Sequence, residues 1–225
     1  LLPLIRRLRQ TTSLPLSICK KAAIENSMNY EKALASLNIT GLTCKSDGIP
    51  KSGLSFIVHS KDDISLLTVT TETDFVSKSE DFSNLGIEIQ RELGARGSDV
   101  VKLIQNKIAQ FSAKYLETIR LESFKNIKCN ENLTFGYYMH RRVNENACSS
   151  ICVVIADGNH TPKVCDNLAL HSFTSRSQTF AEVLSEPFIL NQDESVGSYL
   201  SLYDFKLLSI TKCEPLKGIW DILPR

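Results

Sequence analysis

The sequence lacks the features of a membrane-spanning, disulfide-stabilised or nucleic-acid-binding protein. No apolar run approaches the roughly 20 residues that a membrane-spanning helix needs. The seven cysteines are an odd number, are scattered and form no Cys-x-x-Cys pair, which predicts reduced thiols rather than a disulfide framework or a zinc site. Lysine and arginine total 26 against 25 acidic residues. This balance argues against nucleic acid as a direct partner, because phosphate neutralisation needs a concentrated positive face.

Catalytic motifs are equally scarce. The sequence contains no Gly-x-x-x-x-Gly-Lys-Ser/Thr loop, no Gly-x-Gly-x-x-Gly and no His-Glu-x-x-His, so we predict no nucleotide site of its own, no cofactor and no catalytic zinc. The four histidines share no paired spacing, and we therefore predict no metal site and no catalytic residue. An enzyme is disfavoured, since it would require an unrecognised pocket of convergent polar groups.

What the sequence does contain is enough apolar content for a sizeable core. Of 225 residues, 42% are hydrophobic and 23% are charged, which suits one large domain or two to three small ones. Apolar residues one helical turn apart predict three short helices within residues 4–37. A unit of this size has too little core to be robust alone, so we expect it to offer a docking surface. Residues 40–52 are rich in Gly, Ser, Lys, Pro and Asp, which predicts a linker.

Strand and helix patterns share the rest of the chain. Alternating apolar residues predict a hairpin of residues 54–58 and 64–71, followed by two amphipathic helices. Further strands are predicted at residues 119–127, 133–140, 149–156 and 203–210, with short helices beginning at Pro162 and Val196. The apolar run 151–155 does not alternate, which indicates a central strand buried on both faces. The pattern predicts an α+β fold.

The junction between the predicted hairpin and the first amphipathic helix is unusual. Ser77 with Glu80 three residues later can form a capping box, which would start the helix there. Phe75 then lies in a short strand-to-helix corner. A large aromatic side chain in such a corner either packs back into the core or projects as an anchor for a partner.

The same corner carries a resemblance to a known family. Thr73-Asp74-Phe75-Val76 resembles the Thr-Asp-Phe-Val signature of the elongation factor Ts family, the guanine-nucleotide exchange factors of the GTPase elongation factor Tu. Two further segments resemble the opening of the family at the same spacing; they are Leu8-Arg9-Gln10-Thr11-Thr12 and Cys19-Lys20-Lys21-Ala22. Matches in the second half are Leu168-Ala169-Leu170-His171, Glu186-Pro187-Phe188 and Ser195-Val196-Gly197. The resemblance covers nearly all of the chain.

The resemblance implies a domain organisation. Residues 1–39 would form a ubiquitin-associated-like three-helix domain, residues 40–52 a linker, and residues 53–118 and 119–225 the two parts of an antiparallel sheet-and-helix core. The first helix, with Leu8, Arg9 and Thr12, would contact the G domain of elongation factor Tu. The chain departs from the family at Ser13–Ile18, where a glycine-rich stretch with Met-Met-Asp is usual.

The resemblance also implies a mechanism. Phe75 would insert between two helices of the G domain, disturb its magnesium site and loosen its phosphate loop, with Thr73 and Val76 fixing the angle of approach. Asp74 would hold the corner or pair with the partner. His171 would lie near the surface that meets the third domain of elongation factor Tu. The alternative for Thr73, Asp74 and Val76 is a capped, packed turn without a partner.

Two expectations remain open between alternatives. Bacterial family members insert a long coiled coil where only six residues separate Phe180 from Pro187 in this chain. In addition, residues 1–7 are basic and free of acidic residues. They could be the end of an organellar presequence or simply part of a first helix. We therefore expect the mitochondrial matrix, with another organelle or the bacterial cytoplasm as alternatives. For function, the alternative to exchange is a non-exchanging module that binds another partner through its helical domain.

Overall fold

A computed structural model describes residues 2–12, 14, 16–40, 48–59, 63–96, 100–128, 132–158, 162–203 and 206–224, without the side chains of residues 38–40, 93–96 and 100. Most of the predicted linker, residues 41–47, lies outside the described residues, as do Ser13 and Pro15 of the stretch that departs from the family.

Groups of helices and groups of strands follow one another along the described residues, with three helices before the first strand. The helices are α1 Leu2–Thr12, α2 Leu16–Glu25, α3 Tyr30–Thr40, α4 Asp74–Ser77, α5 Glu80–Ser83, α6 Leu85–Arg96, α7 Val100–Tyr115, α8 Pro162–Thr174, α9 Phe180–Ser185 and α10 Val196–Ser201. The strands are β1 Ser52–His59, β2 Asp63–Thr71, β3 Ile119–Lys128, β4 Leu133–Arg142, β5 Ala147–Asp157, β6 Pro187–Phe188, β7 Asn191–Ser195, β8 Lys206–Glu214 and β9 Gly218–Ile222. Within these ranges no helix is both long and apolar enough to cross a membrane.

One antiparallel sheet connects both parts of the predicted core. Seven of the described strands form it in the order β3-β2-β1-β5-β8-β9, with β4 on the other flank of β5. The predicted hairpin is confirmed, since Ser52 of β1 pairs with Thr71 of β2. The prediction of a central strand is also confirmed, because β5 pairs with β4 and β8 and is buried from Ile151 to Ala156.

Helices cover the sheet in two groups. Helices α4–α7 pack on β1 and β2 through Phe82, Leu85 and Ile89, and α8–α10 pack on β5 and β8. A third apolar cluster fills the space between the opposite faces of β1–β2 and β5. The sheet curls around this cluster, so that Lys125 of β3 forms an ion pair with Asp221 of β9, although these strands are the two ends of the sheet order. The fold is therefore α+β, as predicted.

Helices α1–α3 surround a small apolar cluster of their own. Its buried members are Ile5, Leu8, Leu14, Cys19, Ala22, Ala23, Ala33, Leu37 and, from α7, Ala113. The small side chains in α2 and α3 let the helices approach closely, as expected for a unit with few large apolar residues. Ala113 is the point at which this cluster reaches the helices that cover the sheet.

The end of the chain differs from the prediction. The sequence pattern placed a last strand at residues 203–210, whereas β8 runs from Lys206 to Glu214 and a further strand, β9, follows it. The turn between them has Leu216 and Gly218 at positive φ, 68° and 84°. A leucine does not signal a left-handed turn, whereas Gly218 does, and the hairpin was missed although this glycine was present.

Candidate functional site

The strand-to-helix corner is built from two single-turn helices. Strand β2 ends at Thr71, and Thr73 then caps α4 in an extended conformation, with its Oγ1 accepting the Val76 N–H at 3.5 Å. Ser79 caps α5 in the same way and accepts the Phe82 N–H at 3.3 Å. The predicted capping box of Ser77 and Glu80 is wrong, because Ser77 is the buried last residue of α4 and its hydroxyl donates to the Asp74 carbonyl at 3.1 Å.

Phe75 and Val76 have opposite surroundings. The single turn of α4 directs Val76 into the apolar cluster under α4–α7, where it is 2% exposed, and leaves Phe75 77% exposed. Of the two arrangements that the sequence left open for Phe75, the structure has the projecting one. The neighbouring Phe82, by comparison, is fully buried against Phe56 and Phe111.

Asp74 forms an ion pair within the corner. Its Oδ2 lies 2.6 Å from Lys78 Nζ, one helical turn later. The hydrogen bond and charge of Lys78 lower the pKa of Asp74, which is exposed. Of its two predicted roles, the internal pairing is therefore present in the free protein. The ion pair is solvated, so its contribution to stability is small.

The C-terminal end of α7 borders the corner. Thr73 Oγ1 donates to Glu117 Oε2 at 2.7 Å, and Tyr115 Oη donates to Ser79 Oγ at 3.3 Å. Between these residues, Leu116 has a positive φ of 57° and is 55% exposed. The exposure of Leu116 was not predicted, because its pattern is that of a buried position at the end of an amphipathic helix. The structure makes it a second exposed apolar side chain beside the corner.

The predicted N-terminal site residues differ in accessibility. Leu8 is fully buried among α1–α3, whereas Arg9 is exposed and Thr12 is half-buried, its hydroxyl donating to the Leu8 carbonyl at 2.7 Å. Thr12 lines a cleft of about 630 Å³ whose opposite wall includes Asp81 and Lys114. The cleft therefore brings the end of α1 to the side of the helices that follow the corner. Contact of these residues with a partner stays a prediction.

His171 lies inside the second group of helices. It is 4% exposed, its Nδ1 accepts the Ile189 N–H at 3.3 Å, and its Nε2 lies 3.0 Å from Glu186 Oε2, at ion-pair distance but without the alignment of a hydrogen bond. Burial lowers the pKa of His171, and the nearby Glu186 carboxylate only partly offsets this. The imidazole is therefore neutral near pH 7. Its predicted partner contact stays a prediction.

The Glu186 carboxylate is held by several donors. Burial acts to raise its pKa, but hydrogen bonds from Ser177 and Ser175 and the proximity of His171 together lower it. Lys212, itself largely buried, donates to the Ser175 carbonyl at 2.9 Å. This network fixes the turn between α8 and α9, which directly precedes the segment in which the sequence lacks a coiled coil.

Two exposed apolar residues lie beside His171 and were missed by sequence analysis. Ile189 and Leu190 form the turn between β6 and β7, and both are exposed. The Ile189 N–H is the donor to His171, so the turn and the histidine are directly connected. Adjacent apolar residues in a tight turn were the signal that could have indicated this surface.

Possible metal ligands do not cluster among the described residues, and the described cysteines are buried. None of the described His, Cys, Asp and Glu side chains form a group of three that could hold a metal ion. Burial raises the pKa of Cys148, Cys152 and Cys213 to about 12. These thiols are protonated at neutral pH and are poor nucleophiles.

Comparisons with known proteins agree on one family. The family model described as Elongation factor TS matches residues 72–183, beginning at the corner. A protein named Elongation factor Ts from Oenococcus oeni is 29% identical over 150 residues, which are 61% of this chain and 51% of the relative. A protein of the same name from Wigglesworthia glossinidia brevipalpis is 29% identical over 204 residues, which are 86% of this chain and 70% of the relative. The same name is carried by a protein of Aster yellows witches'-broom phytoplasma, 25% identical over 206 residues (86% and 73%).

The aligned regions thus span between about half and three quarters of the length of these relatives. The family match contains the elements that build the corner and its surroundings, from Glu72 through α4–α7 and β3–β5 to α8 and most of α9. Together with the motif segments in α1 and α2, it shows that the chain belongs to the elongation factor Ts family.

Proposed function

We propose that this protein is a translation elongation factor that binds elongation factor Tu and promotes the release of GDP from it. The observation that carries the proposal is Phe75, an aromatic side chain 77% exposed on a corner whose backbone is fixed by Thr73 and Glu117. An exposed aromatic on an ordered segment is the usual form of an interface anchor. The family comparison supplies the partner.

The proposed mechanism requires no acid, base or nucleophile. A protein accelerates nucleotide release if it binds the nucleotide-free GTPase more tightly than the GDP-bound form, because the coupling between the two ligands is reciprocal. Phe75, inserted between helices of the G domain, would stabilise an arrangement in which the phosphate loop and the magnesium site no longer fit GDP. Leu116, exposed beside the corner, would extend the same apolar contact.

Two further surfaces complete the proposed contact. Residues 1–39 would act as a ubiquitin-associated-like docking domain, joined to the core by the 40–52 linker; Arg9 and Thr12 would contact the partner, and Leu8 would hold α1 in place from within. On the other part of the core, 119–225, His171 would position the Ile189–Leu190 turn against the third domain of elongation factor Tu. Because the buried His171 ring accepts a hydrogen bond from the Ile189 N–H, we infer that His171 supports this turn and does not contact the partner directly.

We also propose a mitochondrial location. In the described range 162–203, α9 leads directly into β6, without the coiled coil that bacterial family members insert there. The relatives reported above are bacterial, and the bacterial cytoplasm is the alternative.

Titration calorimetry with elongation factor Tu tests the proposed function. We expect the protein to bind the nucleotide-free GTPase, and we expect saturating GDP to weaken that binding by about 5- to 150-fold, the usual range for coupled sites. The Phe75→Ala variant is the matched control, because it should bind with a smaller dependence on GDP. An affinity that is the same with and without GDP would contradict exchange and would favour a binding module that uses residues 1–39 for another purpose.

A further inference from the structure

Two glutamates join the corner to the end of α7 in a reciprocal arrangement. The Glu117 carboxylate accepts the Thr73 hydroxyl at 2.7 Å through Oε2 and the Thr73 N–H at 3.4 Å through Oε1. In the other direction, Glu72 Oε1 accepts the Thr118 N–H at 2.7 Å. Each carboxylate therefore binds the backbone of the residue next to the other. We call Glu72, Thr73, Glu117 and Thr118 the glutamate clasp.

The clasp lies where the strand pairing ends. The last residue pair between β2 and β3 is Thr71 with Ile119, so the residues of the clasp follow directly beyond the ladder. The Thr71 hydroxyl donates to the Thr73 carbonyl at 2.8 Å, and Ile119 is tied to α7 through Ser112. Beyond the end of the strand ladder, the carboxylates of the clasp therefore take over from the backbone carbonyls in connecting the segment after β2 to the segment before β3.

The clasp determines the orientation of Thr73. The Thr73 hydroxyl has one hydrogen, which it donates to Glu117, and this leaves its oxygen lone pairs directed at the Val76 N–H that it caps. Glu117 is only 8% exposed, and a hydrogen bond to a buried carboxylate is stronger than one between neutral groups. Without Glu117, the hydroxyl would be free to rotate away from its capping position.

Phe75 depends on this cap and on the burial of Val76 and Ser77, because its own side chain is exposed. Helix α4 has four residues, too few to be stable without its cap and its tertiary contacts. Phe75 itself is mostly exposed and cannot fix its own position by burial. We propose that Glu117 is a positioning residue for nucleotide exchange: it acts through Thr73 to hold Phe75 in the geometry that enters the partner. This inference rests on the exchange function proposed above.

A double-mutant cycle tests the inference. The variants are Glu117→Ala, Phe75→Ala and the two combined, with Glu122→Ala as control, since Glu122 is exposed on β3. Alone, Glu117→Ala should slow the stimulated release of GDP about fivefold, which corresponds to roughly 1 kcal/mol and is typical of a lost cap. In the Phe75→Ala background it should add less than about twofold, because non-additivity is expected of residues that act through each other.

Two conservative variants keep the test decisive if Glu117→Ala folds poorly. Glu117→Gln retains an acceptor oxygen and should recover about half of the loss or more, whereas Thr73→Val removes the same hydrogen bond from the other partner and should reproduce the loss. Combining the two substitutions should slow the stimulated release of GDP by no more than about twofold beyond the slower single variant. Losses that multiply in the Phe75→Ala background would overturn the inference, because Glu117 would then act independently of Phe75.

Hydrogen exchange of the free protein separates this inference from the function on which it rests. Glu117→Ala should increase exchange of the Val76 amide about fivefold or more, while Glu122→Ala should not, because local opening follows the loss of the cap. If hydrogen exchange of the Val76 amide is unaffected, the clasp does not position the corner, even if the protein stimulates GDP release normally. If the amide responds but the unaltered protein fails to accelerate GDP release, the proposed function is wrong and the clasp stands as structure alone.

Discussion

At the scale of single residues, the size of Phe75 is sufficient for the proposed task. An aromatic side chain that becomes buried loses about 150–250 Å² of exposed surface, and at about 25 cal/mol per Å² this is worth about 4–6 kcal/mol as an upper estimate. Coupling between exchange factor and nucleotide needs only about 1–3 kcal/mol. One well-placed phenylalanine can therefore supply the coupling even if most of its binding energy is lost to desolvation and ordering in the partner.

His171 leads to a prediction about pH. Because burial lowers the pKa of His171 below its ordinary value of 6.5, the unfolded chain binds a proton that the folded protein does not. Stability is then complete above pH 6.5 and decreases as the pH falls toward the folded-state pKa. Glu186 adds a loss only at lower pH, since its pKa is lowered from 4.5. We expect the free energy of unfolding to fall between pH 7 and pH 5.5.

Urea unfolding of the His171→Gln variant checks this expectation. His59 is also shifted downward by burial and contributes with the same sign, so the variant should retain part of the pH dependence but less than the unaltered protein. Lys212 is the other charged group near His171, and it acts to lower the pKa of His171. Parallel pH profiles for the two proteins would mean that His171 does not titrate differently in the folded state.

Several residue-scale features could not be read from the sequence. The exposure of Phe75 depends on which neighbour fills the core, and Val76 does so. The caps at Thr73 and Ser79 bracket the predicted cap at Ser77, since serines and threonines are common around this corner and each can cap. Leu8 matched the family motif, but its side chain packs inward. A motif indicates which residues matter and leaves open whether they act by contact or by packing.

At the scale of elements, helix α8 approaches strand β4 unusually closely at Gly136. A Cβ atom at this position would overlap the backbone of Cys165 and Asp166, and Asp166 Oδ1 accepts the neighbouring Tyr137 N–H at 2.9 Å. The helix therefore covers the free edge of the sheet, and it can do so only because residue 136 has no side chain. The same helix carries His171.

The Gly136→Ala substitution should force α8 away from the sheet. We expect a loss of about 1–3 kcal/mol in the free energy of unfolding, as is usual when atoms are added to a well-packed contact. The matched control is Gly197→Ala in α10, where the nearest atom to a new Cβ is the Leu184 carbonyl oxygen at 3.2 Å. Urea unfolding compares the two. Equal, small losses would show that α8 can move away from β4 without strain.

Element type was predictable where the pattern was strong. The hairpin β1–β2 and the central strand β5 follow from alternation and from an uninterrupted apolar run, both consequences of sheet geometry. The sequence could not indicate that α5 and α6 would be separate, because Phe82 of α5 and Leu85 and Ile89 of α6 keep helical spacing across the break. Strand β9 was missed because it is short and includes the acidic Asp221, although Pro215 and Gly218 before it could have indicated a turn.

At the scale of the whole molecule, one sheet carries both candidate surfaces. The corner follows β2, the His171 surface lies on the helices over β5, and these strands are connected through β1, where Phe56 pairs with Ala147. The curl of the sheet around a shared apolar cluster follows from long-range packing, which local patterns do not encode. The sequence therefore predicted the fold class and the corner, but not the continuity of the sheet that connects the two surfaces.

Release of a fluorescent GDP from elongation factor Tu, followed by stopped flow with the unaltered protein and with Phe75→Ala, tests the account most directly. We expect the variant to stimulate release at least about tenfold less, a difference of about 1.4 kcal/mol, while its free energy of unfolding changes by less than about 1 kcal/mol because little is buried. Phe82→Ala, fully buried, should instead lose about 3–5 kcal/mol of stability. Normal release by folded Phe75→Ala, or a loss of stability as large as that of Phe82→Ala, would contradict the role of Phe75 as the exposed anchor of exchange.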